Sequence, residues 1–492
     1  MTPHLLNCAI RFRERVMEHP ERTAFFSTDR GGMTFRELDR LVGQAQSLLN
    51  ECGVDSNTPV VLAALPSPET FAFLLATLAR GAPILLIEPW LPLREVAEII
   101  DTLNPRVFFA GNLGKIWGLR TPSIRKIPYW KSEKDLRSRG HTAWTITNVR
   151  PDHPAMIAFS SGTSGRPKGS IRTQEYLWKM HFLILEAHPR WNTENSPDWV
   201  TFPNVALFNL GLGRTSVFAP RNPTPKKLRH LQHSLPVELQ PRSMTCGPAF
   251  LKTLLETPGF ESIRDFSIGG ALTDLWIFEA AFQRWKDSHF VHVYGGSEAE
   301  PVTLGDAREL VKLSRDQGYF QTLALGQPFH HTSGQLDSQD VLWVSGPHVS
   351  GEYWGNPIAN EGIKRRDERG TLWHCMGDRV RIEPNTWWYA GRQFQTPQDF
   401  QLEQVIYSEI QSSAAFLHRE VNGVLHACGE AALLKNAKKL KQKFPEISQI
   451  HPTRIIRDRR HRARIDRKKS LPRGLRTSTS SLPILTQRKT SS

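Results

Sequence analysis

Along the first third of the chain the apolar and polar positions switch repeatedly between two periods. Residues 59–66 (PVVLAALP) are an apolar run of strand length. Residues 67–81 (SPETFAFLLATLARG) open on Ser-Pro-Glu, carry apolar positions at helical spacing and stop at Gly81. A second buried-strand run follows at residues 83–89 (PILLIEP), then a helix around Leu93 to Leu103 and a short run from Arg106 to Ala110 (RVFFA). Strand, helix and strand at this spacing make a βαβ unit, and such units build parallel sheets covered by helices. The strand signal recurs at Met156–Ser160 and at His289–Tyr294. Residues 31–45 (GGMTFRELDRLVGQA) predict a strand edge and then a helix capped by Thr34, with Glu37 three positions on completing a capping box. No repeat of fixed period is present. Past Gly391 the chain becomes polar, with short helical and strand-like pieces, which predicts a junction there. The α/β pattern therefore divides into a large domain over residues 1–392 and a small α+β domain over 393–469. From Ser470 the sequence (SLPRGLRTSTSSLPILTQRKTSS) is Ser/Thr-rich, basic and without periodicity, which predicts a disordered tail over 470–492.

Composition narrows the class. With 492 residues, 39% apolar and 23% charged, the chain has the balance of a globular protein with more than one domain. Five scattered cysteines (Cys8, Cys52, Cys246, Cys375, Cys428) form no CxxC pair, which predicts reduced thiols in a cytoplasmic protein. The N-terminus turns charged too soon for a signal peptide, and no uncharged apolar run reaches the roughly 18 residues that a membrane span needs. The net charge of +15 is concentrated near one end, with ten Lys or Arg against two Asp between Arg454 and Arg473. Such a stretch reads as a solvated tail or a non-specific polyanion contact, and phosphate binding is its more specific alternative. No aromatic-interleaved motif points to a specific nucleic-acid partner.

The strongest chemical signal is MIAFSSGTSGRPKG, residues 156–169. A strand-like run ends at Ser160, and Ser161, Gly162, Thr163, Ser164, Gly165, Pro167, Lys168 and Gly169 follow. Small residues let backbone N–H groups approach a polyphosphate, hydroxyls add donors, and an exposed loop lysine supplies charge. A Gly/Ser linker has no need of the preceding strand or of the Pro-Lys-Gly finish. The loop is not a Walker sequence, because Arg-Pro separates Gly165 from Lys168.

The segment resembles the phosphate loop of the adenylate-forming superfamily of acyl-CoA synthetases, peptide-synthetase adenylation domains and luciferases. Ser164 replaces the second threonine of that pattern. The resemblance implies that Thr163, Ser164 and Lys168 hold the β- and γ-phosphates of ATP, with Ser161, Gly162 and Gly165 in the same loop. HVYGGSEAE (292–300) is similar to the family's Tyr-Gly-x-Thr-Glu motif. It implies that Tyr294 stacks on adenine, Ser297 binds the α-phosphate and Glu298 reaches Mg²⁺, a hard cation that seeks carboxylate oxygen. IGGAL (268–272) matches the strand end that borders adenine in relatives, which adds Gly270. LWHCMGDRVRI (372–382) and WWYAGRQ (387–393) place Asp378 at the ribose hydroxyls and Arg392 at the following Gly-Arg.

Two positions depart from the family. Phe394 stands where a polar hinge residue is usual. In the end motif RDRRHRARIDRKKSL (457–471), aligning Ile465-Asp466-Arg467 puts Arg464 where the adenylation lysine belongs, and only a shifted register would bring in Lys468 or Lys469. Stretches 198–220, 244–250, 370–378 and 458–464 resemble one branch, the β-lactone synthetases of bacterial olefin biosynthesis and their acyl-ligase relatives. The implied activity is ATP-dependent adenylation of a fatty or 3-hydroxy fatty acid, followed by β-lactone closure. The alternatives are a ligase using coenzyme A as co-substrate and an impaired relative that binds nucleotide without turnover. Val205 to Leu212 would line the acyl pocket or serve as ordinary core.

Overall fold

The structure, a computed structural model, describes residues 5–475 apart from 29, 88–90, 92, 141, 161–167, 194–195, 221–222, 319–322, 411, 413, 421, 458–464, 466 and 473–474. The alternation in the first third folds into a six-stranded sheet. Its spatial order is Tyr129–Lys131, Val107–Ala110, Val60–Ala63, Ile84–Leu86, Pro154–Ser160 and Lys168–Thr173. The first five strands run parallel and the last closes antiparallel. Val60 and Val61, like Ile84 and Leu85, are fully buried, so both faces of the sheet are covered, as helical crossovers require. One of those crossovers, Pro68–Ala79, is buried at every position and is capped by Ser67, which accepts from the Thr70 N–H. Helix Phe35–Glu51 starts on the expected capping box: Thr34 accepts from the Glu37 N–H, and the Glu37 carboxylate accepts from the Thr34 N–H at 2.8 Å.

A second sheet has 14 strands among the described residues. Thr23–Ser27, Ser216–Phe218, Asp198–Val200, Ser243–Cys246, Asp265–Ile268 and His289–Gly296 run parallel. Beyond His289–Gly296 the sheet turns antiparallel, through Ala299–Asp306, Ala324–Pro328, Thr386–Arg392, Leu372–Glu383 and Val341–Ser345. The parallel strands match the expected α/β pattern, and the antiparallel strands extend it. Only Ser297 and Glu298 separate Gly296 from Ala299, and so short a link can join only antiparallel neighbours.

After Arg392 comes helix Pro397–Ile410 and a three-stranded sheet of Ala415–Arg419, Leu425–Gly429 and Ile447–Pro452, with a core of its own that includes Ile406, Leu417, Leu425 and Leu440. The tail expected from Ser470 does not begin there. Ser470 is buried and its hydroxyl accepts from the Ile456 N–H at 2.8 Å, while Leu471 and Leu475 pack on Phe416 and Cys428. All five cysteines are free thiols. No helix among the described residues is long and apolar enough to cross a membrane.

Candidate active site

Two antiparallel hairpins and one parallel strand end build a small cleft lined by Gly270, Ala271, Leu272, Tyr294, Asp378 and Arg392, among others. Asp378 and Arg392 lie directly opposite each other on strands Leu372–Glu383 and Thr386–Arg392, whose register is set by the tight Pro384-Asn385 connection. The carboxylate is 4% exposed. Its Oδ2 accepts from the Tyr294 hydroxyl at 2.8 Å, and its Oδ1 lies 2.7 Å from Arg392 Nη1. The second contact is an ion pair without hydrogen-bond alignment, so among the described residues no donor is aimed at Oδ1. An anchored carboxylate with a lone pair to spare suits a hydroxyl-bearing ligand. Burial alone would lower the pKa of Arg392, but Asp378, Tyr389 and Tyr294 carry it above the ordinary arginine value. Burial and the Asp378 charge raise the Tyr294 phenol well above its usual range, so it stays a donor. Gly270 takes φ +80° just past strand Asp265–Ile268, a left-handed backbone that a side chain would strain.

The second cluster stands where the two sheets meet. Lys168 pairs with Ser160 across the ends of the glycine loop. Residues 161–167 lie outside the described residues, and with them Ser161, Gly162, Thr163, Ser164 and Gly165. Lys168 itself is not the exposed loop residue expected from sequence. It opens strand Lys168–Thr173, is 5% exposed, and burial lowers its pKa against the opposing pull of Glu298. Ser297 and Glu298 form the two-residue turn after strand His289–Gly296, where Arg172 donates to the Ser297 carbonyl at 3.1 Å.

A segment over residues 349–354 ties this turn to the other sheet. The Ser350 N–H donates to the Glu298 carbonyl at 2.7 Å, the Gly351 N–H to the Ile171 carbonyl at 2.9 Å, and the Trp354 N–H to the Gly169 carbonyl at 2.8 Å. The Ser350 and Ser170 hydroxyls are 2.6 Å apart. Tyr353, a residue the sequence reading did not single out, donates its hydroxyl to Glu298 Oε1 at 2.9 Å and offers its ring to Lys168, whose Nζ is 5.4 Å from the ring centroid. Its signal was only an aromatic in the polar stretch SGEYWGN, which local pattern cannot separate from a surface residue.

Of the sequence-derived candidates, Tyr294, Asp378, Arg392 and Gly270 meet in one place, and Lys168 and Glu298 in the adjoining one. Arg464 lies outside the described residues. Three residues on, Arg467 makes a bidentate pair with buried Glu403 at 2.6 and 2.7 Å and donates to the Leu417 carbonyl, so it is fully engaged in holding the C-terminal segment. Phe394 is exposed, two residues past Arg392. Of the proposed acyl-pocket run, Ala206 to Gly211 are buried in helix Pro203–Leu212, where Leu207, Phe208 and Gly211 border a narrow apolar cavity with Cys8, Phe12 and Leu177.

A family model described as "AMP-binding enzyme" matches residues 12–354. The chain is 24% identical over 380 residues to an indigoidine synthase of Streptomyces lavendulae, covering 72% of this chain and 28% of that protein. The chain thus spans little more than a quarter of that relative, and 6% of the bacitracin synthase 3 of Bacillus licheniformis. It is also 23% identical over 447 residues to an olefin beta-lactone synthetase of Stenotrophomonas maltophilia, covering 79% of each. Among solved structures, the O-succinylbenzoate coenzyme A synthetase of Bacillus subtilis in complex with AMP superposes with a TM-score of 0.74 at 16% identity, over 92% of this chain and 96% of that one.

Proposed function

The chain belongs to the AMP-binding enzyme family, and from that premise we propose that it adenylates a carboxylic acid with ATP. The observation that carries the reading is the buried Asp378 carboxylate, held by Arg392 and Tyr294 with Oδ1 left without an aligned donor, one strand hairpin away from the Lys168–Glu298 cluster. That pairing supplies an acceptor for a ribose diol at one end and, at the other, a cation for phosphate and an acidic group for its counter-ion, which complements a nucleoside triphosphate. Asp378 would accept the ribose hydroxyls, with Gly270 and Tyr294 bordering the base. Lys168, with the loop residues Ser161, Gly162, Thr163, Ser164 and Gly165, would hold the phosphates, Ser297 the α-phosphate, and Glu298 a Mg²⁺ ion. That ion, when bound, supplies charge neutralisation. The substrate carboxylate attacks the α-phosphorus, an O–P bond forms, the bond to the β-phosphate breaks, and pyrophosphate leaves. The protein's part in such a transfer is positioning and electrostatics. Arg464 would bridge the acid and the α-phosphate, its planar fork standing in for an ammonium.

For the second step we assign the acceptor to the substrate's own 3-hydroxyl, which attacks the activated carbonyl, gives up its proton and releases AMP, leaving a β-lactone. Support for this is the match along 79% of both chains to the Stenotrophomonas protein. The test is mass spectrometry of products after incubation with ATP and a panel of fatty and 3-hydroxy acids, with and without coenzyme A. A product lighter than a 3-hydroxy acid by one water, formed without coenzyme A, is the expected result. A thioester formed only with coenzyme A replaces lactone closure by ligation. Release of no pyrophosphate with any acid refutes adenylation.

A further inference from the structure

A second buried lysine stands beside the first. Lys364 opens the short strand Lys364–Arg366, which pairs with Leu372–Glu383 so that Lys364 faces His374. Its neighbours Arg365 and Arg366 are exposed, but Lys364 is 4% exposed. Its Nζ donates to the Ser350 carbonyl at 2.7 Å, in the same segment whose N–H holds the Glu298 carbonyl. It also lies 5.8 Å from the centroid of the Tyr353 ring, the ring that Lys168 approaches and whose hydroxyl holds Glu298.

An ammonium carries three donors, and the described residues engage one of them, with no carboxylate at ion-pair distance. Burial pushes the Lys364 amine down to about 7, against the pull of Glu298 and Glu352. His374 brings no compensating charge, since its ring is buried, its Nδ1 has no partner among the described residues, and burial drives it down to about 3. A hydrophobic side chain of similar length would fill this space at lower cost, so packing does not account for an amine here. A transient anion does.

We propose that Lys364 is a polyphosphate-binding residue, which with Lys168 brackets the Glu298–Tyr353 pair and takes the β- and γ-phosphoryl oxygens of the nucleotide and the pyrophosphate they become. The proposal rests on the nucleotide reading above and assigns the residue to one end of that ligand. Calorimetric titrations of the full chain with ATP, inorganic pyrophosphate and AMP separate the two. Lys364→Met is expected to lower affinity for ATP and pyrophosphate by roughly ten- to a hundredfold, the worth of a charged hydrogen bond, and to leave AMP within about twofold. Lys364→Arg is expected to recover part of the pyrophosphate affinity, which a packing role would not allow. Equal loss for AMP and ATP in both variants, or unchanged pyrophosphate affinity in Lys364→Met, overturns the assignment. If the parent chain binds none of the three probes, the nucleotide reading itself falls and Lys364 falls with it.

Discussion

Removing the Asp378 carboxylate tests whether the cleft is held together by charge. In Asp378→Ala the Arg392 guanidinium keeps its place beside a 4% exposed position but loses its counter-ion, and the Tyr294 hydroxyl loses its acceptor. Breaking a buried pair by deleting one partner costs about 3–5 kcal/mol. The lost tyrosine hydrogen bond to a charged group is worth about 1.5–3 kcal/mol, but it ends on the same carboxylate, so the two figures overlap and do not add. The single variant should therefore lose about 3–5 kcal/mol. The double variant Asp378→Leu/Arg392→Met removes both charges, and well-packed apolar replacements of a buried pair are often neutral or stabilising, so it should recover the parent's stability to within about 1 kcal/mol. Urea denaturation followed by circular dichroism measures both, and ATP titration on the same samples should show neither variant binding. A single variant as stable as the parent, or a double variant no better than the single, would refute the electrostatic account of the cleft.

Three further outcomes are expected. Lys168→Met removes a desolvated ammonium whose charged form the fold disfavours, so thermal melting should show a protein at least as stable as the parent, while pyrophosphate release falls by about a hundredfold or more; wild-type turnover in this variant removes Lys168 from the site. Arg464→Ala should abolish acyl-AMP formation and Arg464→Lys retain much of it, with ATP binding intact in both by calorimetry. Full activity in Arg464→Ala together with none in Lys468→Ala shifts the register of the end motif. Arg467→Met should cost about 3–5 kcal/mol by stranding buried Glu403, read as early unfolding of the C-terminal segment in hydrogen exchange, and protection equal to the parent's would show that the pair holds nothing.

What could be read from the sequence follows the range over which each signal acts. The capping box at Thr34 and the βαβ unit over residues 59–89 are written in a few adjacent residues, and both formed where expected. Tyr294, Asp378 and Arg392 were found only through motif resemblance, since no local pattern says that residues 84 apart will share a hydrogen bond. Lys364 is invisible because it sits in IKRRDERG, where every basic residue looks solvated and only the distant Ser350 and Tyr353 cover one of them. The loop's glycines hide where the strand resumes, so local pattern leaves Lys168 in the loop. Leu471 and Leu475 were lost in a Ser/Thr-rich composition, yet two leucines are enough to dock a segment when a neighbouring sheet leaves Phe416 and Cys428 to cover.

The segment over residues 349–354 gives the molecule a seam. Asp378, Arg392 and Tyr294 belong to one sheet and Lys168 to the other, and Gly351 and Trp354 fasten the Lys168 strand to the turn that carries Glu298. A ligand gripping both ends would therefore span two sheets, and its fit would gauge how they are registered. Insertion or loss of one residue in the seam would offset the two halves of the grip by the rise of one residue, roughly 3.3 Å. Within these six positions Ser350 and Tyr353 hold Glu298 while Gly351 and Trp354 hold the strand that Lys168 opens, so a shift in the segment moves both groups against each other.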